Sequence, residues 1–153
     1  MAKLSFIEKL LGSGFYTGYI PIASGTFGSL AGLIIYLIPG FEIIYVIIPV
    51  IVIFSMYGVY VGNKFENVYG KDPAECTIDE VVGTWISYLL LPKTIGIIVI
   101  TFFLWRALDI FKPFPARKLE NLNGGMGIMI DDIVSGFYTL IIMHLVVYFL
   151  GKF

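Results

Sequence analysis

Long apolar runs separated by helix-breaking residues are the feature that most restricts how this chain can fold. The runs cover residues 27–38, 43–61, 81–91, 95–108 and 133–150. Of the 153 residues, 58% are hydrophobic and only 14% are charged, whereas about 25% of the residues in an ordinary soluble domain are charged. The pattern predicts an all-α integral membrane bundle, with about five membrane helices in a single domain that covers residues 1–153.

Two of the five runs are short. Residues 27–38 and 81–91 fall below the roughly 20 residues that a helix needs to cross a bilayer alone. They either extend through polar residues inside the bundle or enter the membrane without crossing it. The N-terminal stretch MAKLSFIEKLLGSG is typical of a short amphipathic helix on the membrane surface, with Lys3, Glu8 and Lys9 facing water.

The basic residues predict an orientation. If all five runs cross, Lys93 and Lys152 lie on one side of the membrane and the other lysines and arginines of the connections lie on the opposite side. The richer side is cytoplasmic by the positive-inside rule. We therefore expect a multi-pass protein of the cytoplasmic membrane. The formal net charge of -1 gives no reason to expect a nucleic-acid partner.

Five acidic side chains lie at the edges of the apolar runs. They are Asp79, Glu80, Asp109, Asp131 and Asp132. Because a carboxylate next to hydrocarbon is costly, this placement indicates that the chain uses these groups. Brought together by helix packing, they would form an oxygen-rich pocket of the kind that holds a hard divalent cation. All of them fall on the predicted cytoplasmic side, which favours metal-assisted phosphate chemistry at a membrane surface.

Each acidic motif also has a plain structural interpretation. Asp79 and Glu80 would lie in the first turn of a helix, where the helix dipole favours negative charge, and Thr77 or Asp79 could cap that helix. Arg106 and Asp109 are three residues apart on a helix, so the structural interpretation of this pair is a simple intrahelical ion pair. The doubled acids of MIDDIVSGF predict a second helix start, after a flexible glycine-rich turn. Doubled acids at two membrane-helix starts favour a metal site over capping alone.

Candidate phosphate-binding residues flank these acids. The segment SGTFGSLAG places the hydroxyls of Thr26 and Ser29 and free backbone N–H groups at the start of an apolar helix. The segment WRALDIFKPFPARKLE supplies Arg106, Lys112 and Arg117, and its helix is expected to end near Lys112 because a proline follows. The structural alternatives are a helix cap for the first segment and snorkelling to anionic lipids for the second.

Several chemistries are excluded by composition. The single cysteine, Cys76, rules out an internal disulfide and a cysteine-rich metal site, and it lacks the arginine loop of a cysteine phosphatase. The only histidine, His144, lies deep in the last apolar run, which argues against a histidine-based phosphatase. What remains is a cation-activated water attacking phosphorus or an aspartate nucleophile.

Four motifs together resemble a known family. GTFGSL, DEVVGTW, RALDIFKPFPAR and GGMGIMIDDIVSG, in this order and at these separations, closely resemble the phosphatidylglycerophosphatase A family of bacteria over about residues 12–136. The resemblance implies a magnesium-dependent membrane enzyme. It would remove the terminal phosphate of phosphatidylglycerophosphate, a phospholipid of the bilayer, to give phosphatidylglycerol in bacterial glycerophospholipid biosynthesis.

The resemblance also implies roles for the site residues. Glu80, Asp109, Asp131 and Asp132 would hold one or two Mg²⁺ ions, and Asp79 would be a further ligand or the base that orients water. The phosphomonoester would be bound by the side chains of Thr26, Ser29, Arg106, Lys112 and Arg117. Residues 63–76 offer no informative motif.

Two other classes of protein use similar residues in a membrane. A CDP-alcohol phosphotransferase also uses aspartates and a divalent metal in the membrane, but its DGxxAR-type signature is missing. A cation transporter would place acidic residues near the middle of the membrane on several helices. In this chain the acids lie at one edge, beside basic residues.

Overall fold

The computed structural model describes residues 3–151, and within this range the chain forms seven α-helices, one 3₁₀ turn and no strand. The helices are α1 (Phe6–Gly12), α2 (Ser24–Tyr36), α3 (Ile44–Tyr69), α4 (Ile78–Ser87), α5 (Ile95–Phe111), α6 (Ala116–Leu119) and α7 (Gly125–Phe149), with the 3₁₀ turn at Thr17–Tyr19. The predicted all-α class is confirmed. Lys152, which entered the topology prediction, lies outside the described residues.

Helix length separates α3 and α7 from the rest of the bundle. Among the described residues, these two helices, of 26 and 25 residues, are long and apolar enough to cross a membrane. The other apolar helices are shorter: α2 has 13 residues, α4 has 10 and α5 has 17. The count of about five crossing helices therefore stays a prediction.

Helix α4 occupies the centre of the bundle and packs against α2, α3, α5 and α7. Its side chains from Val81 to Ser87 are all buried. The indole N–H of Trp85 donates to the carbonyl oxygen of Gly32 on α2 at 2.9 Å, and the ring packs against Phe41 and Phe54. The first part of the short run at residues 81–91 is thus a helix that is enclosed by other helices, which explains why the run is predominantly apolar.

Helices α3 and α7 approach closely at glycines. Gly58 and Gly62 are four residues apart, a spacing that predicts close helix contact. A Cβ atom at Gly62 would lie 2.7 Å from the Cα of Gly125, and one at Gly58 would lie 2.9 Å from the terminal methyl of Met129. Side chains at these positions would push the helices apart, so the expected contact is confirmed.

The N-terminal helix differs from the prediction at Glu8, which does not face water. The side chain of Glu8 is buried; it forms an ion pair with Lys64 and accepts a hydrogen bond from Tyr60 at 3.3 Å. It also completes a capping box with Ser5, whose backbone N–H donates to it at 2.8 Å. The exposed side chains include Phe6. Because Glu8 has partners on α3 and at the start of its own helix, α1 turns this polar residue inward.

The start of α7 was also predicted wrongly. Asp131 and Asp132 do not begin this helix, because it starts six residues earlier at Gly125. Gly125 and Gly127 are helical and buried, and only Gly124, with a φ of 73°, has the left-handed backbone of a turn. Gly125 therefore serves close packing against α3, and Gly127 serves close packing against the preceding loop at Leu122. The doubled acids lie about two turns inside the helix.

Candidate active site

A polar cavity of about 280 Å³ lies where the start of α2, the start of α4, the end of α5 and the second turn of α7 meet. Its lining includes the five predicted acidic residues, which are Asp79, Glu80, Asp109, Asp131 and Asp132. These residues are far apart in sequence and come from three helices. The expectation that helix packing gathers them in one pocket is met by this arrangement.

Three of the carboxylates form a compact group. Glu80 of α4, Asp109 of α5 and Asp132 of α7 each place one oxygen within 4.8 Å of the corresponding oxygens of the other two. Asp109 and Asp132 are buried, with 6% and 3% of their surface exposed. Carboxylate oxygens converging from three helices at this separation form the kind of donor set that a hard divalent cation prefers.

Some of the acidic oxygens are left without a partner. Within the described residues, Asp79 Oδ1, Asp131 Oδ1 and Asp132 Oδ2 are buried and accept no hydrogen bond. Such groups are costly, and each needs an explanation such as a bound ion or water. Capping does not explain the two α7 residues, because they lie well inside their helix. Helix α4 has no side-chain cap, although its first turn does hold Asp79.

Arg106 does not line the cavity itself but binds two of the acidic residues that do. Its guanidinium forms ion pairs with Glu80 and, at 3.0 Å, with Asp109, so the predicted intrahelical pair exists within a larger network. It also donates to the hydroxyl of Ser29 at 3.1 Å. The Ser29 hydroxyl in turn donates to Glu80 at 3.1 Å and accepts from Trp105 at 3.2 Å. The side chain of Ser29 is thus fully buried behind the acids, where it supports Glu80.

Lys112 lies at the mouth of the cavity. It follows the last residue of α5, as predicted, and has a left-handed backbone with a φ of 45°. Its ammonium group lies 2.6 Å from Asp131 Oδ2 and 3.4 Å from Glu120 Oε1. Burial is the largest single effect on Lys112 and would lower its pKa. The hydrogen bond to Asp131 and the negative charges of Asp131, Asp132 and Glu120 together outweigh burial, so the pKa lies above its usual value. Lys112 is therefore a permanent cation in the site.

Of the predicted phosphate-binding residues, Lys112 lines the cavity, whereas Ser29, Arg106, Thr26 and Arg117 do not. Thr26 is half-buried in the first turn of α2, and Arg117 is exposed on α6. Their roles stay predictions. His144, which the sequence does not favour as a catalytic residue, contacts the carbonyl of Leu140 at 2.9 Å on α7. Cys76 does line the cavity, but burial raises the pKa of its thiol well above the ordinary value.

Sequence reasoning missed Asp72, an acidic residue of the cavity lining. Asp72 lies in the segment that offered no motif; its left-handed φ of 48° and the proline after it are the signals of a tight loop. Gly25 leaves room for the acids, because a Cβ atom there would collide with the carboxylate of Glu80 and lie 3.2 Å from the guanidinium of Arg106.

Comparison of the sequence with known proteins identifies related proteins. The sequence model of the family described as phosphatidylglycerophosphatase A matches residues 10–147. The chain belongs to the phosphatidylglycerophosphatase A family. This membership confirms the predicted family and the class of enzyme, a phosphatase. No solved structure matches the chain.

Curated relatives of this family member cover almost all of the chain. The phosphatidylglycerophosphatase A of Escherichia coli is 36% identical over 152 residues, which are 97% of this chain and 86% of the relative. The protein of the same name in Haemophilus influenzae is 35% identical over 160 residues, covering 98% and 96% of the two chains. A Bacteroides thetaiotaomicron protein, provisionally named a phosphatidylinositol-3-phosphatase, is 35% identical over 159 residues, covering 99% and 100%.

Proposed function

We propose that this protein is a lipid phosphatase that hydrolyses phosphatidylglycerophosphate to phosphatidylglycerol and phosphate in bacterial glycerophospholipid biosynthesis. The observation that carries the proposal is the convergence of Glu80, Asp109 and Asp132 from three helices beside Arg106 and Lys112. A phosphomonoester headgroup needs a site of this kind, with positive charge to bind it and acids to handle protons. The two relatives named phosphatidylglycerophosphatase A support this choice of headgroup.

The proposed cofactor is Mg²⁺. The donor set fits it, because the group of three consists of carboxylates and further unpartnered carboxylate oxygens of Asp79 and Asp131 lie in the same cavity. Glu80, Asp109 and Asp132 would hold one ion, with Asp131 as the fourth proposed ligand. When bound, such a cation neutralises charge on the phosphoryl oxygens and so favours attack on phosphorus.

The side chains of the cavity divide the remaining work. Lys112 is partly exposed at the mouth, where it would attract and orient the phosphate dianion. Arg106 is held by Glu80 and Asp109, so it keeps these two carboxylates in place and adds positive charge behind the phosphate. Asp79 Oδ1 is buried and has no hydrogen-bond partner among residues 3–151, which makes it the candidate acceptor for the proton of an attacking water. An aspartate nucleophile is the alternative to water.

Membrane placement is part of the proposal. We propose a single membrane-embedded domain with about five crossing helices and the cavity on the cytoplasmic side, so that the acyl chains of the substrate stay in the bilayer. The lengths of α3 and α7 and the distribution of basic residues support this topology. Cysteines introduced near Lys71 and Glu120 should be labelled only from the cytoplasm, and one near Lys93 only from the opposite side. Labelling of all three from one face would overturn the topology.

A second candidate substrate is a phosphatidylinositol phosphate, favoured by the full-length match to the Bacteroides protein. The deciding experiment measures phosphate release by the purified protein from phosphatidylglycerophosphate and from phosphatidylinositol 3-phosphate, each with Mg²⁺ and with excess EDTA. We expect faster release from phosphatidylglycerophosphate, and none with EDTA. Preference for the inositol lipid would reject the proposed substrate, and full turnover in EDTA would reject the metal.

A further inference from the structure

The first turn of α7 has no cap of its own. Its N-cap residue is Gly124, which has no side chain, and no side-chain cap bond is formed from within the helix. The backbone there is pressed against α3, since a Cβ atom at Gly125 would collide with the carbonyl group of Val59. The free N–H groups at the start of α7 therefore need partners from another part of the chain.

Those partners come from two side chains on α3. Asn63 accepts a hydrogen bond from the N–H of Gly125 at 3.0 Å, and Glu66 accepts one from the N–H of Gly124 at 3.1 Å. Asn63 and Glu66 are three residues apart and so share one face of α3. The amide of Asn63 is fixed in this orientation, because its nitrogen donates to the carbonyl oxygen of Val59 at 2.8 Å.

Glu66 also holds the loop on the other side of the cavity. Its second oxygen accepts a hydrogen bond from the N–H of Asp72 at 3.3 Å, where the backbone has a left-handed φ of 48°. Asp72 lines the cavity together with Asp131 and Asp132 of α7. One carboxylate of α3 thus joins two separate segments that each bring acidic side chains to the cavity.

We infer that Asn63 and Glu66 are positioning residues: by capping α7 from α3, they hold Asp131 and Asp132 in the carboxylate group of the active site. Asp131 and Asp132 lie six and seven residues beyond Gly125, about 9–10.5 Å along a rigid helix, so a shift of the helix start moves them as well. Small displacements of catalytic groups reduce the rate of the chemical step strongly. The inference rests on the proposed phosphatase function for its effect on turnover.

The test uses four variants of the full chain. Asn63→Leu removes the acceptor at similar size, whereas Asn63→Asp keeps it. Glu66→Gln keeps only one of the two acceptor oxygens. Asn67→Leu is the matched control, since Asn67 is exposed on the same helix and makes no side-chain hydrogen bond among the residues that the structure describes. Each variant is assayed for amide hydrogen exchange and for kcat and KM on phosphatidylglycerophosphate.

We expect exchange at residues 124–127 to be roughly 2- to 30-fold faster in Asn63→Leu, the range for loss of a helix cap. Its kcat should fall about tenfold or more with KM nearly unchanged, because the defect lies in the placement of the acids and not in lipid binding. Asn63→Asp keeps the acceptor but loses the donation to Val59, so both of its values should lie closer to the wild type than those of Asn63→Leu. The control should match the wild type. In Glu66→Gln, exchange should also rise, at Gly124 or in the loop around Asp72.

Two results would overturn the inference. Unchanged exchange at residues 124–127 in both Asn63→Leu and Glu66→Gln would mean that these side chains do not cap α7. Faster exchange with unchanged kcat would mean that the cap is structural only. If Asn63→Leu does not fold, the same comparison of hydrogen exchange and kcat is made for Glu66→Gln and Asn63→Asp. A wild-type protein that releases no phosphate from this lipid rejects the proposed function instead, and the exchange measurement then decides the capping by itself.

Discussion

The ammonium group of Lys112 lies 2.6 Å from a carboxylate oxygen of Asp131, a residue that is only 3% exposed. This pair joins the end of α5 to the second turn of α7 and sets Asp131 apart from the compact group of Glu80, Asp109 and Asp132. Asp131 thereby has two functions in the structure: one oxygen binds Lys112, and the other is free to face a ligand.

Replacing Lys112 should therefore leave the buried carboxylate of Asp131 without its ion-pair partner. We expect Lys112→Met to reduce the free energy of unfolding by about 1–3 kcal/mol, because Asp131 then loses its partner. Adding Asp131→Asn should recover part of this loss, since a neutral amide is less costly to bury. Equilibrium unfolding of the four proteins of this double-mutant cycle measures the coupling. Strictly additive losses would show that the pair contributes nothing.

Gly25 gives a test of how tightly the cavity is built. A methyl group at this position would collide with the carboxylate of Glu80, so we expect Gly25→Ala to displace that carboxylate and reduce phosphatase activity about tenfold or more. Gly96→Ala on α5 is the matched control, because a Cβ atom there has nothing within 4 Å. Helix propensity predicts that Gly96→Ala is neutral or stabilising by up to about 1 kcal/mol. Equal activity of both variants would contradict the described geometry.

The attachment of α1 should depend on pH. The pKa of Glu8 is lowered from 4.5 to about 2, first by the hydrogen bond from Lys64 and next by the backbone N–H of Ser5. Ionised Glu8 therefore stabilises the fold above pH 4.5, and this contribution is lost as the pH falls from 4.5 through about 2. We expect the melting temperature of the wild type to exceed that of Glu8→Gln at pH 7, and the difference to shrink in acid.

A control variant separates this effect from general loss of a carboxylate. Glu75→Gln removes a glutamate that forms no ion pair in the part of the chain that the structure describes. At pH 7 its melting temperature should lie much closer to that of the wild type than the melting temperature of Glu8→Gln does. A gap between wild type and Glu8→Gln that stays constant from pH 7 to pH 3 would refute the role assigned to the Glu8 carboxylate.

The identity of the site residues could be predicted from the sequence because their chemistry is unusual where they occur. Carboxylates are rare beside long apolar runs, so Asp79, Asp109 and Asp132 attract attention without any knowledge of the fold. The end of α5 at Lys112 was also predictable, since the following proline disfavours a helical residue before it. These signals depend only on residues that are close in sequence, so they are visible in the amino-acid sequence alone.

Features that depend on contacts between distant segments could not be predicted in the same way. The inward turn of Glu8 brings it to Lys64 and Tyr60 on α3. The N–H groups of Gly124 and Gly125 at the early start of α7 donate to Glu66 and Asn63. No pattern near Glu8 or Gly125 contains these partners. Tertiary hydrogen bonds of this kind override local expectations for polar surfaces and glycine-rich turns.

The central claim is that the acidic group of the cavity carries the phosphatase chemistry and is not a set of helix caps. Replacing one of these aspartates with asparagine keeps its size and leaves a side chain that can still cap a helix. His144→Ala, whose side chain contacts α7 outside the cavity, is the active control.

The most direct measurement is phosphate release from phosphatidylglycerophosphate at saturating Mg²⁺ by wild type, Asp109→Asn and Asp132→Asn. We predict that both variants fold and enter the membrane but lose activity at least about 100-fold, the scale on which removal of a catalytic group acts. The control should stay within about twofold of the wild type, as expected for a residue outside the catalytic group. Near wild-type turnover by the two Asn variants would contradict the assignment of the active site to this cavity.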